Sequence, residues 1–266
     1  MVKRIILFLA FILQINFLHA GIVIHNGLTH NYKVENGHVY KGKIAIENTN
    51  NSPQNVKIFL QDFSYRADGS IFYSKTDSHE KTNSGWIKLN TNLVTLKARE
   101  KTEIFYEITV PKNILKEGSY WSVIIVEPVE DIKPNDNKDG VNISSIVRYA
   151  IQIITDYDAE NAKPELKFES VKIDKEEGKQ ILKIAIANTG SLYCKPTANI
   201  EVYHRKTGEK MGNFSSVAMG VLPSNSKSFH IDISKLPPDH YKAVIIATDE
   251  EDNAFALNVE LEVKND

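Results

Sequence analysis

The chain has 266 residues, 42% hydrophobic and 25% charged. That is a globular composition, which excludes wholesale disorder and leaves room for two units of ordinary size. Its 32 basic and 34 acidic side chains give a formal charge of −2, so no basic excess exists to hold a nucleic-acid backbone. The single cysteine, Cys194, excludes an intrachain disulfide framework and any multi-cysteine zinc or iron–sulfur site.

The chain opens on Lys3 and Arg4, then an apolar run from Ile5 to Phe17, then Leu18, His19 and Ala20. A basic start, a short apolar stretch and a small residue before the cut predict a secretory signal peptide over 1–20, cleaved after Ala20. The run is too short for a good membrane span. Gly21, not cysteine, follows the cut, which argues against a lipid anchor, and no later segment of the mature chain is apolar enough to span a bilayer. The expectation is an exported protein, periplasmic or secreted to the cell surface.

From Gly21 onward nearly every apolar segment alternates with period two. Ile104, Tyr106, Ile108 and Val110 form one such row, and Ile44 and Ile46 another. Alternation of this kind marks half-buried strands. Turn signals at Asn36-Gly37, Asp68-Gly69, Glu117-Gly118 and Thr207-Gly208 punctuate the rows. No helical stripe is sustained. The polar stretch 156–164 carries no hydrophobic periodicity and is expected to be a linker between units at 21–155 and 165–266.

The two units share a plan. Lys43 to Thr49 recurs as Lys183 to Thr189 with six of seven positions identical. Tyr120 to Ile125 recurs more loosely as Tyr241 to Ile246. An Asn-Thr ending suits a strand that turns out of its sheet. A tyrosine leading a late strand suits the tyrosine corner of immunoglobulin-like sandwiches. The expected fold is therefore all-β: two tandem immunoglobulin-like antiparallel β-sandwiches. In the first unit, a Pro/Asp/Asn/Lys loop at 129–140 precedes a long alternating run, Val141, Ile143, Ser145, Val147, Tyr149, Ile151 and Ile153.

Motifs for chemistry are incomplete. His79-Glu80 lacks the second histidine of a zinc-protease helix, since Asn83 stands there. Asn135, Asn137 and Asp139 imitate a calcium loop, but Ile146 stands where a bidentate glutamate is needed. Asp249 to Asp252 read as a solvated hairpin tip. No nucleophile elbow and no phosphate loop is present. His25, His30 and His38 read as surface or edge histidines, Cys194 as a buried filler, and Trp86 and Trp121 as core anchors. Catalytic residues, metal ligands and cofactors are accordingly expected to be none.

Two family resemblances follow from ordered motifs. Ile44 to Thr49, Asp68-Gly69, Trp86-Ile87, Val94 to Leu96, Tyr106 to Pro111 and Gly118 to Trp121 resemble, in that order, the first domain of the WxL-interacting proteins of Gram-positive cell surfaces. The likeness covers about 30–155, and more loosely the second unit. Those proteins usually end in a membrane helix and basic tail, which Val263 to Asp266 do not supply. The first unit is also similar to the periplasmic pilus-assembly chaperones, through Tyr120-Trp121, Pro128, the loop 129–140 and the strand 141–154. In that family, alternate residues of this strand complete a partner subunit's sandwich, and two cations hold the partner's C-terminal carboxylate. The resemblance implies partner-binding roles for Val141, Ile143 and Ser145, and places Arg148 near one cation. The other cation, expected in the first strand, is missing from 22–29.

The reading is a non-enzymatic, chaperone-like protein of the bacterial cell envelope. It engages a protein partner, pilin-like or another surface subunit, by strand addition. The alternative is a surface module that binds cell-wall polymer or another surface protein.

Overall fold

The computed structural model describes residues 21–114, 116–129 and 146–264. The signal segment 1–20 and the site residues Val141, Ile143 and Ser145 lie outside the described residues. Among the described residues the only helical element is a 3-10 turn, Ser84–Trp86. No helix there is long and apolar enough to cross a membrane.

Among the described residues the first sandwich holds ten strands: β1 (Ile22–Ile24), β2 (Thr29–Val34), β3 (Val39–Asn48), β4 (Gln54–Tyr65), β5 (Ile71–Ser74), β6 (Ile87–Leu89), β7 (Leu93–Leu96), β8 (Lys101–Thr109), β9 (Gly118–Val129) and β10 (Tyr149–Tyr157). One sheet runs β1-β3-β8-β6. The other runs β2-β10-β9-β4-β5, with β7 also pairing β4. Alternate residues of the two sheets meet in a core that includes Ile44, Ile46, Ile58, Ile104, Ile108, Ile124, Ile151 and Ile153. β9 departs from simple alternation because it is buried on both faces. Ile124 and Val126 enter that core, whereas Trp121, Val123 and Ile125 join Phe63, Tyr65 and Ile154 on the opposite face.

The second sandwich holds β11 (Leu166–Glu176), β12 (Lys179–Asn188), β13 (Thr197–His204), β14 (Lys210–Ser215), β15 (Ser226–Asp232), β16 (Asp239–Thr248) and β17 (Ala254–Val263). Sheets β11-β12-β15 and β14-β13-β16-β17 enclose a second core around Ile184, Ile186, Ile200, Phe229, Ile231 and Ile245.

The repeated motifs do the same work in both sandwiches. Asn48 and Asn188 end β3 and β12, and both are fully buried. The Asn48 amide donates to Ser52 O and Lys97 O, and its Oδ1 accepts the Asn50 N–H. Asn188 donates to Leu192 O and Val221 O and accepts the Gly190 N–H. Each thus satisfies backbone groups where the strand turns out. Both tyrosines close a corner on the residue four before them. Tyr120 Oη donates to Lys116 O at 2.8 Å and Tyr241 Oη to Pro237 O at 2.6 Å.

The polar stretch 156–164 begins inside a strand, since β10 continues through Tyr157. Asp156 is buried and accepts Ser119 Oγ–H at 2.5 Å, while Ser119 Oγ accepts the Tyr193 N–H at 2.7 Å. That relay ties β9 and β10 to the second sandwich. Tyr65 adds a second tie: its hydroxyl accepts the Leu222 N–H at 2.9 Å and donates to Gly220 O at 3.2 Å. Its own N–H donates to Asn225 Oδ1 at 2.7 Å. Gly118, with φ +111°, lets Ser191 O approach to where a Cβ would sit 2.2 Å away. The sandwiches therefore meet in a packed, hydrogen-bonded joint, with Leu222 seated in the aromatic cluster of the first.

Candidate partner-binding edge and cleft

The site is built on β10. On one side β10 pairs antiparallel with β9 along its whole length. On the other side β2 pairs with it in parallel, but only from Gln152 to Tyr157. The Gln152 N–H donates to Leu28 O at 2.8 Å. Backbone groups two apart in a strand point the same way, so the N–H and C=O of Ala150 face that side too. Among the described residues no strand meets them there. Ile146 and Val147, just upstream, lie outside any strand and are about half exposed. Of the sequence-predicted run 141–154, the described part 146–154 is a strand from Tyr149 onward; its inward residues Ile151 and Ile153 belong to the sandwich's own core.

Arg148 is the one predicted site residue whose side chain is described. Its Nη1 donates to Glu127 Oε2 at 3.2 Å, and its guanidinium lies 5.4 Å from the centroid of the Tyr73 ring. The cation is therefore already shared with a carboxylate of β9. Tyr73 belongs to an apolar edge: Ile71, Phe72 and Tyr73 of β5 are all exposed. Exposed apolar groups grouped in this way are uncommon on a lone soluble domain.

Between this edge and the second sandwich lies a cleft of about 660 Å³, lined by Tyr65, Arg66, Tyr73, Ala150, Met219 and Lys227, among others. The Lys227 ammonium sits 4.9 Å from the Tyr65 ring centroid. Burial pushes its pKa down, and among the described residues no carboxylate pairs with it. Arg66 is held by backbone, its Nη1 donating to Tyr65 O and Ser224 O. A desolvated cation on an aromatic face gains from the ring quadrupole and still lacks a counter-charge.

Sequence reasoning did not find Lys227. A signal was present: Lys227 shares the inward phase of β15 with Phe229 and Ile231, both buried. A lysine on a core-facing phase marks a place where that face is covered by something other than its own core. Arg66 and Tyr65 carried no such sign, because the surface they meet is about 155–160 residues away in sequence.

Cys194, His25, His30, His38, Trp86 and Trp121, singled out from the sequence, have structural surroundings. Cys194 is buried, and burial pushes its thiol up to about 12. His25 pairs with Glu47 at 2.7 Å and His38 with Glu35 at 3.3 Å, both on the surface. His30 Nδ1 is 2.7 Å from the Tyr106 hydroxyl, which also meets Tyr32. Trp121 anchors the face toward the joint, with its Nε1–H donating to Phe63 O at 2.9 Å. Trp86 packs against Tyr120 and the first core.

Comparison with solved structures gives fold likenesses over most of the chain. The YadV chaperone covers 91% of this chain with all of its own length, at 14% identity and a TM-score of 0.44. The CsuC–CsuE chaperone–tip adhesion subunit complex of Acinetobacter baumannii covers 89%, with 97% of its own chain, at 16% identity and a TM-score of 0.45. The Pseudomonas aeruginosa CupB2 chaperone covers 90%, with all of its own chain, at 10% identity and a TM-score of 0.41. No curated protein sequence matches the chain. The family match falls further along the chain than the motifs of 30–155 that first carried the resemblance to WxL-interacting proteins. Residues 138–266, which take in β10 and the whole second sandwich, match the WxL Interacting Protein host binding domain.

Proposed function

We propose that this chain is an exported, non-enzymatic binding protein of the bacterial cell envelope, chaperone-like in action, that takes an extended segment of a protein partner along the free edge of β10. The observation that carries the reading is the late start of β2, which meets β10 only from Gln152 onward. It leaves the backbone of Ala150 open beside the exposed Ile146 and Val147. An added strand would find main-chain hydrogen bonds there, and alternating side chains would set selectivity. Val141, Ile143 and Ser145, upstream in the sequence, would supply the row that faces the partner, and Arg148 borders it. The cleft lies at the end of the same edge. Lys227, rather than a first-strand cation, offers it a charge for a carboxylate of the partner.

The test is the double substitution Val141→Asp with Ile143→Asp, read by circular dichroism and by recovery of partner from envelope extract. Burial of one such side chain stabilises by roughly 1.5–3 kcal/mol, so losing two weakens binding by a few powers of ten. Retained fold with lost binding supports the edge. Unfolding assigns these residues to the protein's own core, and unchanged binding places the partner elsewhere.

The match of 138–266 to a host binding domain favours a second reading: a surface module whose second sandwich binds another protein or a cell-wall polymer. It predicts that residues 165–266 alone retain the partner, which the first reading forbids.

A further inference from the structure

Asp62, on β4, is fully buried. Its Oδ2 accepts the Ser78 N–H at 2.7 Å and the Ser78 hydroxyl at 3.1 Å, and its Oδ1 accepts the Thr82 hydroxyl at 2.6 Å. A buried carboxylate requires such partners. These bonds pin the segment 75–83, a strap from β5 to the 3-10 turn. The strap fills a seam in the sheet. β4 pairs with β9 only as far as Gln61 opposite Val123. Beyond that point the strap takes its place: the Trp121 N–H donates to Lys81 O at 2.9 Å, and Thr82 bridges to Trp121.

His79 sits at the middle of the strap. Its ring stacks on Trp121 with centroids 4.6 Å apart and planes 26° from parallel. Its Nε2 is buried with no hydrogen-bond partner among the described residues, and lies 4.0 Å from Asp62 Oδ2. From β4 the ring faces Asp62, and from β9 it faces the uncharged Trp121. The strap's own charges turn elsewhere: Glu80 toward Lys116, Lys81 to Glu117 O, and Asp77 toward Ser84, while Lys75 is exposed.

We infer that His79 is a protonation-operated latch on this strap. Neutral, the ring lies flat on Trp121 and the strap is closed. Protonated, Nε2–H needs an acceptor, and the one in reach is Asp62 Oδ2, which Ser78 already occupies. Ring and Ser78 then compete for one oxygen, and the strap loosens while both cores stay packed. Trp121 shares a cluster with Phe63, Tyr65 and Leu222, so the loosening reaches the wall of the cleft. The inference does not depend on strand addition at β10.

Burial holds the His79 pKa below its usual value, and Asp62 pulls the other way. A folded value below the unfolded one of about 6.5 sets the sign. The strap has its full stability above about pH 6.5 and loses it as pH falls from there through the folded value.

The test is nuclear magnetic resonance on the whole mature chain between pH 7.5 and 5.0. The His79 ring should titrate below about 6.5, and the Trp121 indole N–H should shift with the same midpoint. Protection of the Ser78 and Trp121 amides, corrected for intrinsic exchange, should fall several-fold between pH 7.5 and pH 5.0. The Ile124 and Ile184 amides should hold. His79→Phe keeps a ring on Trp121 without a titrating group and should abolish the loosening; the same loss of protection in that variant overturns the latch. Should His79→Phe fail to fold, the unsubstituted protein decides alone. A His79 midpoint at or above 6.5, or a Trp121 signal indifferent to it, overturns the inference.

Discussion

Replacing Tyr65 by phenylalanine removes one oxygen from the joint and leaves the ring. The ring keeps its packing against Phe63 at 5.7 Å and its face toward Lys227. What is lost is the acceptor for the Leu222 N–H at 2.9 Å and the donor to Gly220 O at 3.2 Å. Leu222 is fully buried, so its N–H is orphaned where water cannot reach, at a cost of about 1–3 kcal/mol. The Gly220 bond is long and partly solvated, and contributes little. The sum is about 2 kcal/mol, a roughly thirtyfold shift in the closed-to-open ratio of the joint. Hydrogen exchange reads this directly: protection of the Leu222 amide should drop by about that factor, while the Ile124 and Ile245 amides change far less. A Leu222 amide as protected in Tyr65→Phe as in the unsubstituted chain would refute the claim that this hydroxyl holds the sandwiches together.

Asn188→Ala removes donors to Leu192 O and Val221 O and an acceptor for Gly190 N–H, all buried or half-buried. Urea unfolding should show a loss of about 3 kcal/mol or more, against well under 1 kcal/mol for an exposed asparagine. Cys194, with its thiol pushed up to about 12 by burial, should not react with an aromatic disulfide reagent at pH 8 until urea is added; prompt reaction of the native protein contradicts the burial. Arg148→Ala removes an exposed ion pair with Glu127 and should change stability by less than about 1 kcal/mol. Any larger effect on partner recovery then belongs to binding.

The sequence displayed what depends on local pattern. Asn48 and Asn188 stood out because one motif occurs twice, and both do the same capping work. Tyr120 and Tyr241 marked their corners because each bonds a carbonyl four residues back. Pattern failed where a second surface decides burial. β9 is buried without a break from Gly118 to Val126 because the second sandwich and the strap cover its outer face, and nothing within β9 says so. The parallel pairing of β2 with β10 joins residues more than a hundred positions apart, and it fixes where the free edge begins. Asp156 looked like linker polarity, yet it lies in a strand, because Ser119 supplies the hydrogen bond that lets a carboxylate be buried there. The cleft cation was hidden for the same reason as the joint: Lys227 and Tyr65 meet only through tertiary packing.

Strand addition is tested most directly by a photo-cross-linker at position 143, combined with hydrogen exchange of the cross-linked complex. Binding along the β10 edge predicts a covalent link to another envelope protein and new protection of the Ala150 amide, whose N–H faces the free edge. A cross-linked complex in which the Ala150 amide exchanges as fast as in the free protein, or links formed only from positions on the second sandwich, would contradict it.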